Sequence, residues 1–327
     1  MKNIAIVGAT GLAGRELLKL IHLRDFPLRH IKLFASQQSA GRVIRDSGQS
    51  FDVQSIRGDM FDDIDIAFFA VDGELSRRLA PLARASGAIV IDKSSAFRMD
   101  PHVPLVIPEI NSDAIRAHAG IIASPNCSTT IMLTGLWPLL ERFGASRIIV
   151  STYQSMSGGG AGLVEGFEKS VKMYVEGRDT GPLFNNVTPH IDAFDAGGNS
   201  GEETKMVEES RKILAMPDLP ISATCVRVPI LRGHSMAINI EFPGSPPVSP
   251  EEARALIRDF DNGIRLMDEP DHGVYPMPIN TNGEEFCAVG RIRKDTSSSN
   301  GLCLWISGDN LWKGAALNAL QIAEKLA

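Results

Sequence analysis

The sequence predicts an α/β fold with a mostly parallel, doubly wound sheet, continued by an α+β half. Three observations carry the prediction. A short β-branched run at 3–7 stops at Gly8 and is followed by a glycine turn and a helical pattern. Strand-like runs then alternate with helical spacing to about residue 126. Beyond that point long helices and paired strands take over, and 327 residues fit about two domains at roughly 150 residues each.

The first run is apolar without alternation, as a strand buried on both faces requires. The segment 12–23 places Leu17, Leu18 and Ile21 on one helical face. Strands are predicted at 31–35, 64–71, 88–91, 105–107 and 120–123, and a helix at 75–85. In the second half the helices are 128–143, 163–175, 202–214 and 250–260. Its strands are 147–153, 221–228, 235–242, 286–294 and 302–307, mostly antiparallel, the last two joined by the polar loop 295–301. An apolar stripe including Leu311, Ala315, Leu320 and Ala323 makes 311–327 a closing helix.

Composition removes several function classes. Lys and Arg number 33 against 39 Asp and Glu, a net charge of −6, which gives no electrostatic grip on nucleic acid or an anionic membrane. A 43% hydrophobic, 22% charged chain has the composition of a folded globular protein, so disorder and fibres drop out. The apolar run after Lys2 is too short for a signal peptide or membrane span. The four cysteines, Cys127, Cys225, Cys287 and Cys303, have neither CxxC spacing nor a disulfide pattern. The expectation is a cytoplasmic protein with no metal site.

Two places carry chemistry. Gly8, Thr10, Gly11, Leu12, Ala13 and Gly14 lie between the first strand and first helix, where glycine lets the backbone approach a dinucleotide pyrophosphate. The acidic residue that would hold an adenosine ribose is not obvious after the second strand; Ser36, Gln37, Gln38 and Ser39 stand there, a loop that either accommodates a 2′-phosphate or is merely solvated. Cys127 follows Ser124, Pro125 and Asn126 and begins a helix whose positive end would favour a thiolate, which suits a nucleophile. Cys225, Cys287 and Cys303 sit in apolar strand runs and read as packing. Of seven histidines, His234 stands out in a turn between two strands with Arg227 and Arg232 nearby, although residue types alone favour a solvated hairpin tip. The short-chain dehydrogenase pattern of a tyrosine with a lysine four residues later is missing, since Tyr153, Tyr174 and Tyr275 are followed there by Ser157, Arg178 and Ile279.

The chain resembles the aspartate-semialdehyde dehydrogenases over essentially its whole length. The matching segments are 8–11, 92–98, 125–129, 152–154, 202–205, 225–229, 233–235, 289–293 and 309–314, in family order. The resemblance implies a Rossmann-type parallel-sheet domain plus an α+β catalytic and dimerisation domain of the glyceraldehyde-3-phosphate dehydrogenase kind. The domains would be 1–126 with 308–327, and 127–307, Cys127 lying at the seam and the last helix returning to the first half. It further implies a homodimer acting on a small molecule: reversible conversion of L-aspartyl 4-phosphate and NADPH to L-aspartate 4-semialdehyde, NADP and phosphate, on the route to lysine (through diaminopimelate), threonine, methionine and isoleucine.

Residue by residue, the resemblance makes Cys127 the nucleophile that forms a thioacyl enzyme, His234 the acid/base group and Gln154 the residue orienting substrate. Arg227 would take the α-carboxylate, Glu202 the α-ammonium, and Arg98, Lys205 and Asn126 the phosphate. Ser157, Gly158 and Asn310 would join Gly8, Thr10, Gly11, Leu12, Ala13, Ser36 and Ser39 in binding cofactor. Two departures stand out. Gln38 replaces the arginine that many members place near the adenosine phosphate, so NAD competes with NADP as the cofactor, unless Ser36, Ser39 or Arg42 compensates. Lys93 occupies a place where an uncharged residue is expected. The alternatives are N-acetyl-γ-glutamyl-phosphate reductase, against which an acidic Glu202 argues, and a non-catalytic nucleotide-binding relative.

Overall fold

The computed structural model describes residues 1–57, 60–179 and 181–327, which divide into two units: Met1–Asn126 with Ala315–Ala327, and Cys127–Gly314. In the first unit, β1 (Lys2–Val7) leads through the glycine turn into α1 (Leu12–Leu23). Then come β2 (Leu28–Ala35), β3 (Val43–Asp46), β4 (Gln49–Ser55), β5 (Ile66–Phe69), α2 (Gly73–Ala85), β6 (Ile89–Asp92), the one-turn α3 (Pro108–Asn111) and β7 (Ile121–Ala123).

The sheet order is β3-β4-β2-β1-β5-β6-β7, parallel throughout except for the antiparallel β3–β4 edge. The chain leaves β1 toward β2 on one side and β5 on the other. The carboxyl end of β1 is therefore the switch point where such sheets bind ligands. Strands β1 and β5 are buried almost throughout, which explains their unalternated apolar runs.

Two expectations change here. The β3–β4 hairpin was not anticipated: its strands carry Arg45, Asp46, Gln49 and Asp52 and lack an apolar signature, as suits a sheet edge. The run 105–107 is not a strand but an isolated bridge from Leu105 to Ala123. The closing helix, Leu317–Glu324, belongs to this unit. Its Asn318 Nδ2 donates to the Val106 carbonyl and to Ser124 Oγ, both at 3.0 Å, and Glu324 takes a two-pronged bond from Arg24 at 2.7 and 2.9 Å.

The second unit comprises α4 (Cys127–Phe143), β8 (Arg147–Gln154), α5 (Ala161–Val175), α6 (Gly201–Leu214), β9 (Ile221–Arg227), β10 (His234–Glu241), α7 (Pro250–Asp259), β11 (Ile264–Leu266), the one-turn α8 (Pro278–Thr281), β12 (Cys287–Lys294) and β13 (Gly301–Gly308). Its sheet order is β11-β12-β13-β10-β8-β9. Three pairings are antiparallel, whereas β8–β9 and β11–β12 are parallel, so the sheet is mixed. The connection from β9 to β10 is not a hairpin, because β8 lies between them. Helices α4, α6 and α7 cover one face. On β8, β10 and β13 the residues of the other register, among them Ile149, Ala237 and Trp305, are only half-buried, and Tyr153 and Trp305 touch there with ring centroids 5.1 Å apart. Among the described residues no helix is long and apolar enough to cross a membrane.

Candidate active site

In the second unit, sheet register assembles residues that are far apart in sequence. Strands β8 and β9 run parallel with Gln154 opposite Arg227, and β10 runs antiparallel to β8 with Ser235 opposite Tyr153. The last residues of β8 and β9 and the first of β10 therefore share one sheet end. Gln154, Arg227 and His234 all lie there, and all three are buried. The solvated hairpin tip suggested by residue types is thus corrected: His234 opens a central strand at 0% exposure.

Cys127 is the first residue of α4, where the positive end of the helix dipole favours negative charge. Its Sγ lies 3.4 Å from His234 Nε2. The other ring nitrogen, Nδ1, accepts the Ser155 backbone N–H at 3.1 Å and lies 3.3 Å from Ser155 Oγ. An N–H aimed at Nδ1 leaves the imidazole proton on Nε2, directed at the sulfur. Burial pushes the His234 pKa down to about 3, with the Arg227 charge acting in the same direction, so the ring is neutral near pH 7.

Arg227 donates Nη1 to the Ser155 carbonyl at 2.6 Å. Its burial depresses the guanidinium pKa, and Cys127, Glu202 and Asp192 oppose that shift; the group stays charged. Gln154 donates Nε2 to Ser128 Oγ at 2.6 Å and to Glu202 Oε1 at 2.8 Å, which fixes the amide's orientation. Glu202 projects from the first turn of α6, whose start is set by a reciprocal cap between Ser200 and Glu203. Glu202 Oε2 is 3.5 Å from Lys205 Nζ one turn along, and Lys205 also pairs with Asp192. Ser157 and Asn310 form a buried network: Asn310 Oδ1 accepts from Ser155 Oγ, Ser157 Oγ and the Gly233 N–H at 3.2, 3.2 and 2.9 Å.

Glycines close this site. A Cβ on Gly158 would lie 2.8 Å from Arg227 Nη1 and 3.1 Å from His234 Nε2; one on Gly314 would lie 2.9 Å from Cys127 Cβ. Ser128, Ser155, Asp192 and Gly314 were not singled out from sequence. Their roles arise from three-dimensional contacts, and the one hint was the position of Ser128 and Gly314 in segments already flagged beside Cys127 and Asn310. The remaining cysteines differ from Cys127. Burial drives the Cys225 thiol well above its ordinary pKa and also raises Cys303, while Cys287 is buried.

In the first unit, the Gly8 and Ala9 N–H groups both bond to the Phe34 carbonyl, at 2.8 and 3.1 Å. Gly8 has φ +91 and a Cβ there would sit 2.3 Å from the Ala70 carbonyl oxygen; a Cβ on Gly14 would come equally close to the Gly8 carbonyl oxygen. Gly11 caps α1 without a side chain, and no acid occupies the first turn, so Thr10, Leu12 and Ala13 surround a helix start suited to a phosphate. Ser36 and Gln38 are exposed, and a turn closed by Ser39 N–H to the Ser36 carbonyl at 2.9 Å brings Arg42 into the same loop. Arg98 donates to the Ser124 and Lys93 carbonyls at 3.0 and 2.6 Å, close in sequence to buried Asn126. Lys93 is half-buried, in a turn where Asp92 accepts from the Ser94 N–H and hydroxyl.

The family model described as "Semialdehyde dehydrogenase, NAD binding domain" matches residues 3–118, and "Semialdehyde dehydrogenase, dimerisation domain" matches 136–313. The aspartate-semialdehyde dehydrogenase of Synechocystis sp. is 44% identical over 99% of this chain and 97% of its own length. That of Aquifex aeolicus is 43% identical with the same coverage. Among solved structures, aspartate semialdehyde dehydrogenase II of Vibrio cholerae complexed with ASA is 38% identical, with a TM-score of 0.94 over 100% of this chain and 98% of the other.

Proposed function

Because the chain belongs to the aspartate-semialdehyde dehydrogenase family, we propose that it converts L-aspartyl 4-phosphate and NADPH reversibly to L-aspartate 4-semialdehyde, NADP and phosphate. It is an oxidoreductase of amino-acid biosynthesis, working in the cytoplasm. The observation that carries the chemistry is the 3.4 Å contact between Cys127 Sγ and His234 Nε2 at a helix N-terminus.

The Cys127 thiolate attacks the acyl carbon, the carbon–oxygen bond to phosphate breaks, and a thioester forms. Arg227 binds the substrate α-carboxylate through its planar fork, and Glu202 faces the α-ammonium. Arg98, Lys205 and Asn126 take the phosphate. Gln154, oriented by Ser128 and Glu202, holds the carbonyl beside the sulfur. The backbone turn at Gly8 and the start of α1, capped by Gly11 with no side-chain bond, suit a pyrophosphate, and Thr10, Gly11, Leu12, Ala13, Ser36, Ser39, Ser157, Gly158 and Asn310 complete the residues assigned to the cofactor. When bound, NADPH supplies the hydride that reduces the thioester carbon. His234 Nε2–H hydrogen-bonds to the oxygen as it becomes negative, and that oxyanion collapses to the aldehyde carbonyl as the carbon–sulfur bond breaks, so the sulfur departs as thiolate.

A homodimer is part of the reading, supported by the description of the second family model and by the uncovered, partly apolar face of β8, β10 and β13. In an assay of the purified chain, phosphate and NADP should support oxidation of aspartate semialdehyde but not of N-acetylglutamate semialdehyde, whose amide has no charge for Glu202. Cys127→Ser should lower kcat at least about 10³-fold. Full activity in that variant, or preference for the acetylated aldehyde, would refute the proposal.

A further inference from the structure

Lys205 is held by two carboxylates of different character. Glu202 is buried, and its Oε1 is already engaged by Gln154; its other oxygen is 3.5 Å from Lys205 Nζ. Asp192 is the closer partner, and its side chain is 52% exposed against 28% for Lys205. A solvent anion can therefore reach this pair more readily than the Glu202–Gln154 contact behind it.

Asp192 is also fixed in place. It adopts φ +67, a left-handed conformation that non-glycine residues other than Asn and Asp seldom take. The loop that carries it is closed by the Gly201 N–H bonding to the Ala193 carbonyl at 2.9 Å and by Asp195, whose Oδ1 accepts from Gly197 and Asn199 N–H groups at 2.8 and 2.9 Å. Gly201 packs so closely that a Cβ there would stand 3.0 Å from Asp192 Cβ.

We propose that Asp192 is a resident counter-anion which competes with phosphate for Lys205 and thereby sets the enzyme's phosphate affinity. The inference rests on the assignment of Lys205 to the phosphate. With the pocket empty, Asp192 holds the ammonium in place; an arriving phosphate must take Lys205 from it and bear repulsion from the carboxylate left beside it. Asp192 acts through Lys205 and is a positioning residue.

Asp192→Asn removes the charge while retaining a residue that tolerates the left-handed backbone. In the oxidising direction its phosphate KM should fall about three- to fivefold, the scale of a partly exposed ion pair, while the semialdehyde KM stays within about twofold. The gain should shrink between about 0.05 M and about 0.5 M salt, because screening weakens the competition. Lys205→Met is the control for the underlying assignment and should raise the phosphate KM. An unchanged or higher phosphate KM in Asp192→Asn, with Lys205→Met impaired, overturns the counter-anion role alone. An unaffected phosphate KM in Lys205→Met overturns the assignment on which it rests. Asp192→Gly, which also removes the charge and adopts φ +67 without strain, serves with the same expected direction if the asparagine variant folds poorly.

Discussion

Glycine shapes both candidate sites, but for opposite reasons. In the first unit Gly8 and Gly14 are crowded by backbone: the Ala70 carbonyl against one and the Gly8 carbonyl against the other. In the second unit Gly158 is crowded by the ends of two side chains proposed for the active site, Arg227 and His234. Backbone neighbours cannot yield without disturbing β1, β5 or α1. Side-chain ends can yield, but only by leaving the geometry the chemistry needs. The first kind of glycine therefore protects a fold, and the second an alignment.

Alanine at each position tests that difference. Gly158→Ala should lower kcat about 10²-fold, since displacement of a reacting group by about 1 Å has that scale, with little change in melting temperature. Gly14→Ala should instead destabilise the first unit by about 3 kcal/mol, the upper range for forced overpacking, and weaken cofactor binding along with it. Paired thermal melts and steady-state kinetics separate the two outcomes. If Gly158→Ala proves as unstable as Gly14→Ala and keeps its kcat, the distinction fails.

The same contrast explains what was legible in the sequence. The first unit's candidate site is local: strand, glycine turn and helix are consecutive, so the turn with Gly8, Gly11 and Gly14 is legible directly in the sequence. The edge hairpin β3–β4 escaped because polar edge strands have no apolar periodicity. Residue types singled out Cys127 through its place at a helix start, yet misread His234 as part of a hairpin tip. The error was topological. That β8 separates β9 from β10 is a property of strand order, which short-range pattern does not encode, and the end-to-end alignment of Gln154, Arg227 and His234 follows from that order. Resemblance supplied those residues because family segments preserve the outcome of the topology without displaying it. Ser155 had no such help: it acts on His234 through its backbone N–H, which any residue type could supply.

Acid should separate the two units next. His234 is fully buried and neutral, with a pKa near 3 compared with about 6.5 in an unfolded chain. Below pH 6.5 the unfolded state takes up a proton that the folded site refuses, so stability falls with pH at up to about 1.4 kcal/mol per unit until the folded pKa is reached. Between pH 7 and pH 5 this group alone should cost the second unit about 2 kcal/mol. His22, His30, His102 and His118 of the first unit are all exposed or half-buried, and none is fully enclosed as His234 is. Urea unfolding of the wild type and His234→Asn at both pH values measures the effect. The variant should lose about 2 kcal/mol less than the wild type on acidification, and equal losses would mean that the imidazole is not held neutral.

The smallest expected effect probes charge in the first unit. Backbone N–H groups at the glycine turn assigned to the pyrophosphate would be indifferent to a 2′-phosphate on the adenosine; under that assignment the choice would fall to the loop with exposed Ser36, Gln38 and Arg42 and half-buried Ser39. Gln38 brings no cation, whereas Arg42 lies in the same turn, its carbonyl bonded to the Val53 N–H at 2.9 Å and its side chain exposed. Gln38→Arg should lower the KM for NADP by roughly fivefold or less, the limit set by solvent around an exposed charge, and leave the KM for NAD unaltered. A parallel gain for NAD would place the new cation on the shared pyrophosphate instead of the 2′-phosphate. No gain for NADP, together with a loss in Arg42→Gln, would assign the 2′-phosphate to Arg42. Because this loop is largely exposed and lies outside the close-packed glycine turn, substitutions there should alter cofactor preference without the cost that Gly14→Ala should impose on the fold.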